Sequence, residues 1–537
     1  MQKRKTEIRI VAVFLAFLLL MLLCLLRIYS INDANAVSVA RQKNMYKLEI
    51  SSLRGTIFDK NLLPLTNNTK KTVAIVPPTV RAITAISTVL EGETLKNTLE
   101  NLKNGKPVVV EVEKQVSCDE ITYIDTYVHN NSELLCPQLI GYTNTENHGV
   151  TGIEYAFDDL LFSEESLNAY FARDAVGNLL GGVKAEITGD TSVVKGGVAL
   201  TIDKAIQTVT KEAMKTVTSG AAVVMEVGTG KIRAIVSNPE FDVTNIADSF
   251  TAENSPLVNK ALASYNVGSV FKPCVAAAVL EQQRHSNFSV NCRGSVTIAG
   301  HTFKCHKAAG HGVVDICDAL AFSCNSFFYE ISQVIGKNTI YNTASTLNFG
   351  NSIDIGRIRT DKGNLPLPDE LDNNTTLANL SIGQGSLLLS PVSILTLYES
   401  IANGGVYHTP TIIEGSVKKG VLESNKAVAP TRAMSKETAE TLKNYLCNVL
   451  TVGTGEEALT ELCTSAGKTA TAETGWRKGD RLIVNSWFCG FFPVENPKYV
   501  VVVLIEDEFL NGTSGAPIYK KIADGITFLE NQLQKIK

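Results

Sequence analysis

The chain has 537 residues, 44% hydrophobic and 19% charged, enough for two folded cores and typical of globular protein rather than of disorder. With a formal net charge of -4 and no long basic run after the first few residues, it lacks the electrostatic footprint of a nucleic-acid binder.

Lys3, Arg4, Lys5 and Arg9 precede an uncharged apolar run over 10–26 that can extend past Arg27 to residue 31, long enough to span a bilayer. Basic residues before the run predict a cytoplasmic tail at 1–9, an anchor at 10–31 and everything else outside. Ala34-Asn35-Ala36 resembles the cleavage site of a signal peptide, but it lies far beyond the apolar run, so an uncleaved anchor is the expectation. Residues 32–192 are polar and rich in Asn and Lys, with strand-like runs at 72–76 and 108–112 and no cluster of catalytic residue types. They read as a pedestal or interaction domain.

The second domain, 193–537, opens with 196–203 and a helix over 204–218. Apolar runs at 221–227 and 232–237, joined by Gly228-Thr229-Gly230-Lys231, predict a β-hairpin. Runs at 483–492 and 499–505 form a second pair across a turn with Pro493 and Pro497, and an amphipathic stretch at 519–536 predicts a closing helix. Strands first and last with helices between them give an α+β domain, an antiparallel sheet covered by helices.

Three short strings carry the chemistry. Ser269-Val270-Phe271-Lys272 precedes the helix formers Ala276, Ala277, Ala278 and Leu280, which puts Ser269 at a helix start with the Lys272 amine one turn away on the same face. An apolar setting and a second cation would lower the lysine pKa, so that neutral amine takes the serine proton. Ser323-Cys324-Asn325 lies between helical patterns at 313–322 and 326–335, where a hydroxyl can pass a proton and an amide can bind a peptide group. Lys468-Thr469-Ala470-Thr471 begins a strand expected to pair with 483–492 across a turn at 474–480, and lysine beside threonine hydroxyls suits a carboxylate. Each string alone is equally an ordinary helix cap, helix boundary or strand end, and Ser416-Val417-Lys418-Lys419 also fits the first. Their order and settings together give a serine acyl-transfer site without histidine.

Other patterns carry less. The eleven cysteines form no dense framework, so most are expected to be buried thiols, with Cys292 and Cys305 a candidate pair across a Gly-containing stretch. Cys305, His301, His306 and His311 invite a zinc reading, but the spacing fits no standard site, and no metal is expected. Gly467-Lys468-Thr469 resembles the end of a phosphate-binding loop, yet Leu462 stands where that loop needs glycine.

The three strings resemble those of class B penicillin-binding proteins, the monofunctional peptidoglycan D,D-transpeptidases. Further segments are similar to that family: Arg54-Gly55-Thr56-Ile57-Phe58-Asp59, the stretch from Gly149 to Glu154, Gly310-His311-Gly312, Gly383-Gln384-Gly385 with Ser390-Pro391, Ala402 to Gly405 and Trp487 to Gly490. Tyr265-Asn266-Val267-Gly268-Ser269 looks like the approach to the nucleophile, although Asn266 and Val267 replace the usual acidic residue and proline. The resemblance implies a transmembrane helix, an elongated pedestal and a catalytic domain with a five-stranded antiparallel sheet. It implies that Ser269 attacks the D-Ala-D-Ala carbonyl with Lys272 as base and Ser323 as proton relay. Asn325 would contact substrate, Lys468, Thr469 and Thr471 would hold its carboxylate, and the backbone N–H groups of Ser269 and Thr471 would form the oxyanion hole. Peptidoglycan stem peptides, β-lactams, the membrane and a separate glycosyltransferase are the implied partners, with no cofactor. Service in elongation, division or sporulation stays open.

Ala470 departs from the pattern, since the family usually has glycine there, and its methyl could crowd the substrate. The rival readings are a non-catalytic scaffold or β-lactam sensor, and a β-lactamase. Glu399-Ser400-Ile401-Ala402-Asn403 superficially resembles a β-lactamase element, but Ile394, Leu395, Leu397, Tyr398 and Ile401 give it the apolar face of a structural helix.

Overall fold

The computed structural model describes residues 2–31, 45–174, 176–180, 182–189, 191–283, 285, 287–509 and 514–536. The cleavage-site string at 34–36 lies outside the described residues. A helix over Gln2–Ile31 contains the stretch Ile8–Tyr29, which is long and apolar enough to cross a membrane.

The chain divides into two compact units. The first comprises Met1–Leu53, Thr69–Val128 and Ser163–Val193. Its strand Thr69–Val76 pairs antiparallel with Val108–Glu111 and Thr122–Val128, in line with the apolar runs at 72–76 and 108–112. Alternation along that strand sends Ala74 and Val76 into one small core and Ile75 into another with Ala169 and Phe171.

The second unit comprises Arg54–Asn68, His129–Phe162 and Val194–Lys537. Its two early segments are held there by a buried charge network. Arg54, 2% exposed, places Nε 2.6 Å from Glu154 Oε2 and Nη2 2.8 Å from Asp158 Oδ1, while Nη1 donates to the Asn147 carbonyl at 2.6 Å. His129 Nε2 lies 2.7 Å from the other Glu154 oxygen. Burial disfavours the Glu154 carboxylate, but the hydrogen bond and charge of His129 and then Arg54 outweigh it and leave the pKa lowered.

The heart of this unit is a five-stranded sheet of β1 (Gly220–Glu226), β2 (Ile232–Asn238), β3 (Ala466–Lys478), β4 (Arg481–Phe492) and β5 (Tyr499–Phe509), in the order β2-β1-β5-β4-β3 and antiparallel throughout. Both expected strand pairs are present. Consecutive residues of β4 and β5 are buried, so both sheet faces are covered. Helices α1 (Lys204–Met214) and α7 (Gly515–Ile536) pack on each other and on the sheet. Helix α5 (Pro391–Ala402), buried along its whole length, packs on β1, β4 and β5. The Asp203 side chain caps α1, and the Ser390 hydroxyl with Pro391 starts α5. The β3–β4 turn departs from expectation: β3 runs on to Lys478, and Gly479, with φ of +63°, permits a two-residue turn with Asp480.

Arg54→Ala leaves the Glu154 carboxylate buried without its guanidinium partner, and loss of one partner from a buried pair costs about 3–5 kcal/mol. Both tryptophans, Trp476 and Trp487, belong to the second unit, so their fluorescence reports its urea transition. The transition is expected at markedly lower urea in Arg54→Ala; an unchanged midpoint would show that the network contributes nothing.

Candidate active site

Ser269 stands on a single 3-10 turn, Gly268–Phe271, that runs into α2 (Lys272–Glu281). The serine thus precedes the α-helix by one turn instead of opening it, because Gly268 takes a left-handed φ of +60°. The turn is clamped by neighbours. Gly268 N–H donates to the Gly383 carbonyl at 2.9 Å, and a Cβ on Gly383 would come within 2.0 Å of the Gly268 oxygen. Tyr398, buried on α5, donates its hydroxyl to the Val270 carbonyl at 2.9 Å, and Trp487 Nε1 donates to that of Asn266 at 3.0 Å. Of the departing pair, Val267 is wholly buried and Asn266 faces the Gly385 carbonyl, 3.5 Å from Nδ2.

Lys272 is fully buried. Its Nζ donates to the Ser323 carbonyl at 2.8 Å, to Ser323 Oγ at 3.2 Å and to Asn325 Oδ1 at 2.7 Å, and lies 5.2 Å from the centre of the Phe328 ring. Ser323 Oγ in turn donates to Ser269 Oγ at 3.1 Å. The first two strings therefore meet through a hydroxyl bridge. Ser323 lies between α3 (Ile316–Ala321) and α4 (Asn325–Ile335) in a left-handed conformation, φ +54°, which is costly for a residue with a side chain. Burial brings the Lys272 pKa down to about 7, with the thiols of Cys324 and Cys305 opposing the fall.

The third string lies on β3, at the sheet edge. Lys468, Ala470 and Ala472 turn to the buried side, whereas Thr469 is half-buried and Thr471 exposed. Lys468 Nζ donates to the Thr469 carbonyl at 3.2 Å and Thr454 Oγ1 at 3.5 Å; burial, and then the charge of Lys272, depress its pKa. Thr454 was not singled out from the sequence. It follows α6 (Lys436–Thr451), its hydroxyl is 2.8 Å from that of Thr469, and its N–H donates to the Ala321 carbonyl at the end of α3. The signal was Gly453-Thr454-Gly455: a Cβ on Gly453 would come within 2.2 Å of that same carbonyl oxygen. The Ala470 methyl lies near the turn that carries Ser269: a Cβ on Gly268 would stand 3.5 Å from it and 3.1 Å from that of Ala472.

Glu399 is buried on α5 with Oε1 accepting from Gly228 N–H at 3.1 Å and 3.0 Å from His408 Nδ1. Burial raises its pKa. Its named partners belong to the β1–β2 turn and the segment after α5, which fits a structural helix.

Beside Asn325 is a group the sequence spacing did not reveal. Cys292, Cys305, His311 and Cys324 place their sulfur and imidazole nitrogen atoms all within 4.8 Å of one another. Cys292 and Cys305, the candidate disulfide pair, carry free thiols, each 3.6 Å from His311 Nδ1. Cys324 holds the Cys305 thiol down by hydrogen bonding to it, burial acts in the opposite sense, and His306 adds to the lowering. The fold brings Cys324 of the second string, and Cys292, to Cys305 and His311, which the linear spacing kept apart.

The family model of the penicillin-binding protein transpeptidase domain matches residues 220–524. Stage V sporulation protein D of Bacillus subtilis is 25% identical over 93% of this chain and 82% of its own length. A peptidoglycan D,D-transpeptidase FtsI of Buchnera aphidicola is 26% identical over 74% of this chain and 69% of its own. Penicillin-binding protein 3 of Mycobacterium tuberculosis, solved with ampicillin, shares the fold with a TM-score of 0.66 at 22% identity, covering 90% of this chain and 96% of that one. With Ser269, the buried Lys272 and the strand lysine Lys468 all inside the matched region, the chain belongs to the penicillin-binding protein transpeptidase family.

Proposed function

We propose that the protein is a serine-type D,D-transpeptidase that cross-links peptidoglycan stem peptides and is acylated by β-lactams. The observation that carries this is the chain of contacts from Lys272 through Ser323 to Ser269. With a pKa near 7, a large share of Lys272 is neutral at physiological pH and can take the Ser269 proton by way of Ser323. Ser269 Oγ then bonds to the carbonyl carbon of the penultimate D-alanine, the bond to the terminal D-alanine breaks, and the held proton goes to the departing amine. The amine of a second stem peptide attacks the ester, loses its proton to the same relay and frees Ser269.

Asn325 accepts from Lys272 through Oδ1, which leaves its amide N–H groups for substrate. In this reading Lys468, Thr469 and Thr471 hold the substrate carboxylate, with Thr454 setting the Thr469 hydroxyl. As the sheet's edge, β3 offers backbone groups to an extended peptide, and the N–H groups of Thr471 and Ser269 serve as the oxyanion hole. The apolar helix is assigned as a single-pass anchor with the catalytic domain outside, supported by the basic residues ahead of it. Residues 32–192 are assigned as the pedestal, and a separate glycosyltransferase as the partner that supplies glycan strands.

A fluorescent penicillin is expected to label the wild type and leave Ser269→Ala unlabelled. Lys272→Ala should acylate about 10²–10⁴-fold more slowly, the usual worth of a general base. Equal labelling of Ser269→Ala and wild type would sink the assignment. Because only the neutral amine accepts a proton, the acylation rate should climb with pH and reach half its plateau near the Lys272 value of about 7. A flat rate between pH 5 and 9 would remove Lys272 as the base.

Ala470 supports the nucleophile turn, so Ala470→Gly should change the acylation rate and cost about 0.5–1 kcal/mol of stability. Gly268→Ala should slow acylation far more, its Cβ being pressed to 3.1 Å from Ala472 at a left-handed φ. Unaltered acylation in both variants would show that seating of the turn does not limit the reaction.

A further inference from the structure

Four potential ligand atoms converge on one point beside the relay. Cys292 closes a short strand, Val290–Cys292, that pairs with Gly312–Val314, and so lies opposite Gly312 and next to His311. Cys305 follows the strand His301–Lys304, and Cys324 is the middle residue of the second string. All three cysteines are buried: Cys324 is wholly enclosed, Cys292 is 2% exposed and Cys305 is 5% exposed. Four segments separated in sequence thus bring three thiols and one imidazole together in the interior.

The separations fit a tetrahedral ion. Zinc binds sulfur at about 2.3 Å and imidazole nitrogen at about 2.0–2.1 Å, so neighbouring ligands of a tetrahedral site stand roughly 3.5–3.8 Å apart. The sulfur atoms of Cys292 and Cys305 both stand 3.6 Å from His311 Nδ1. Every separation in the group is within 4.8 Å, so side-chain adjustments of under about 1 Å complete the tetrahedron. Three thiolates with one imidazole select zinc over magnesium, calcium or manganese, which prefer oxygen ligands. Surrounding groups orient the ligands. Cys292 Sγ is 3.4 Å from the Ser326 hydroxyl, and the His311 ring is stacked with Phe322 at an interplanar angle of 19°.

We propose that Cys292, Cys305, His311 and Cys324 bind one zinc ion as a closed structural site that fixes the loop carrying Ser323 and Asn325. The three thiols release their protons to solvent on binding, and the four ligands leave no open position for chemistry. Its role is positional. Ser323 sits in a costly left-handed conformation, and the residue that follows it is the ligand Cys324. A metal bond at that residue holds the backbone where the Ser323 hydroxyl reaches both Ser269 and Lys272.

The test uses the full chain purified in detergent without chelator, with metal measured by atomic emission. About one zinc per chain is expected, with loss of the metal in Cys292→Ser and His311→Ala. Cobalt-reconstituted wild type should show thiolate-to-metal charge transfer and the ligand-field bands of a tetrahedral ion. Because the variants could misfold, the wild type is also stripped with a chelator. Its melting temperature should fall, and be restored by zinc but not by magnesium. The proposal is overturned if folded wild type reconstituted with zinc retains less than about a tenth of an equivalent, if both variants keep full metal, or if peptide mapping finds Cys292 and Cys305 joined as a disulfide. Metal content is independent of acyl transfer, so a chain that holds zinc but fails to react with penicillin would defeat the functional reading alone.

Discussion

A lysine ammonium group buried among neutral oxygens is the constraint around which the second unit is arranged. Placing Lys272 there disfavours its charge, and the cost is met by hydrogen bonds from its Nζ to the Ser323 carbonyl, the Ser323 hydroxyl and Asn325 Oδ1, with the Phe328 ring face nearby. A carboxylate beside it would have held the charge in place. Neutral acceptors hold the amine while leaving it able to lose a proton. The positions of Ser323, Asn325 and the first turn of α2 follow from that requirement.

How much of this could be read from the chain depended on whether the chemistry was local. Ser269 and Lys272 are three residues apart, and Ser323 and Asn325 two, so each string was visible by itself; the strands of the sheet were visible from their apolar runs. Thr454 was hidden because its partners, Lys468 and Thr469, lie fourteen and fifteen positions away and a lone threonine between glycines reads as a turn. The Cys–His group was harder still. Cys324 had already been read as the middle letter of a catalytic string, and the zinc reading that took in Cys305 and His311 left out both Cys292 and Cys324. Linear spacing is a guide to metal ligands only when one short element supplies them, and here four segments do.

The Ala470 methyl shows the same limit from the other direction. On β3 it turns to the same buried side as Lys468, yet strand alternation alone cannot say what faces that side. The turn before Ser269 comes close on that side, where a Cβ on Gly268 would stand 3.5 Å from the methyl. Compactness at the nucleophile turn is thus shared among Gly268, Gly383, Ala470 and Ala472, and a carbon added at one position can be absorbed only if the others yield.

The place of β3 at the sheet edge has a cost unrelated to catalysis. An unpaired edge recruits any extended chain, a neighbouring copy included, and proteins commonly protect such edges with charge or proline. On the proposed function, a segment that receives a peptide could not be so protected along 468–471. The guard stands further along the same hairpin, where Arg477, Lys478, Asp480 and Arg481 are exposed around the turn at Gly479. Two such edges approaching in parallel would bring Arg477, Lys478 and Arg481 against their counterparts, a repulsion that disfavours stacking into aggregates.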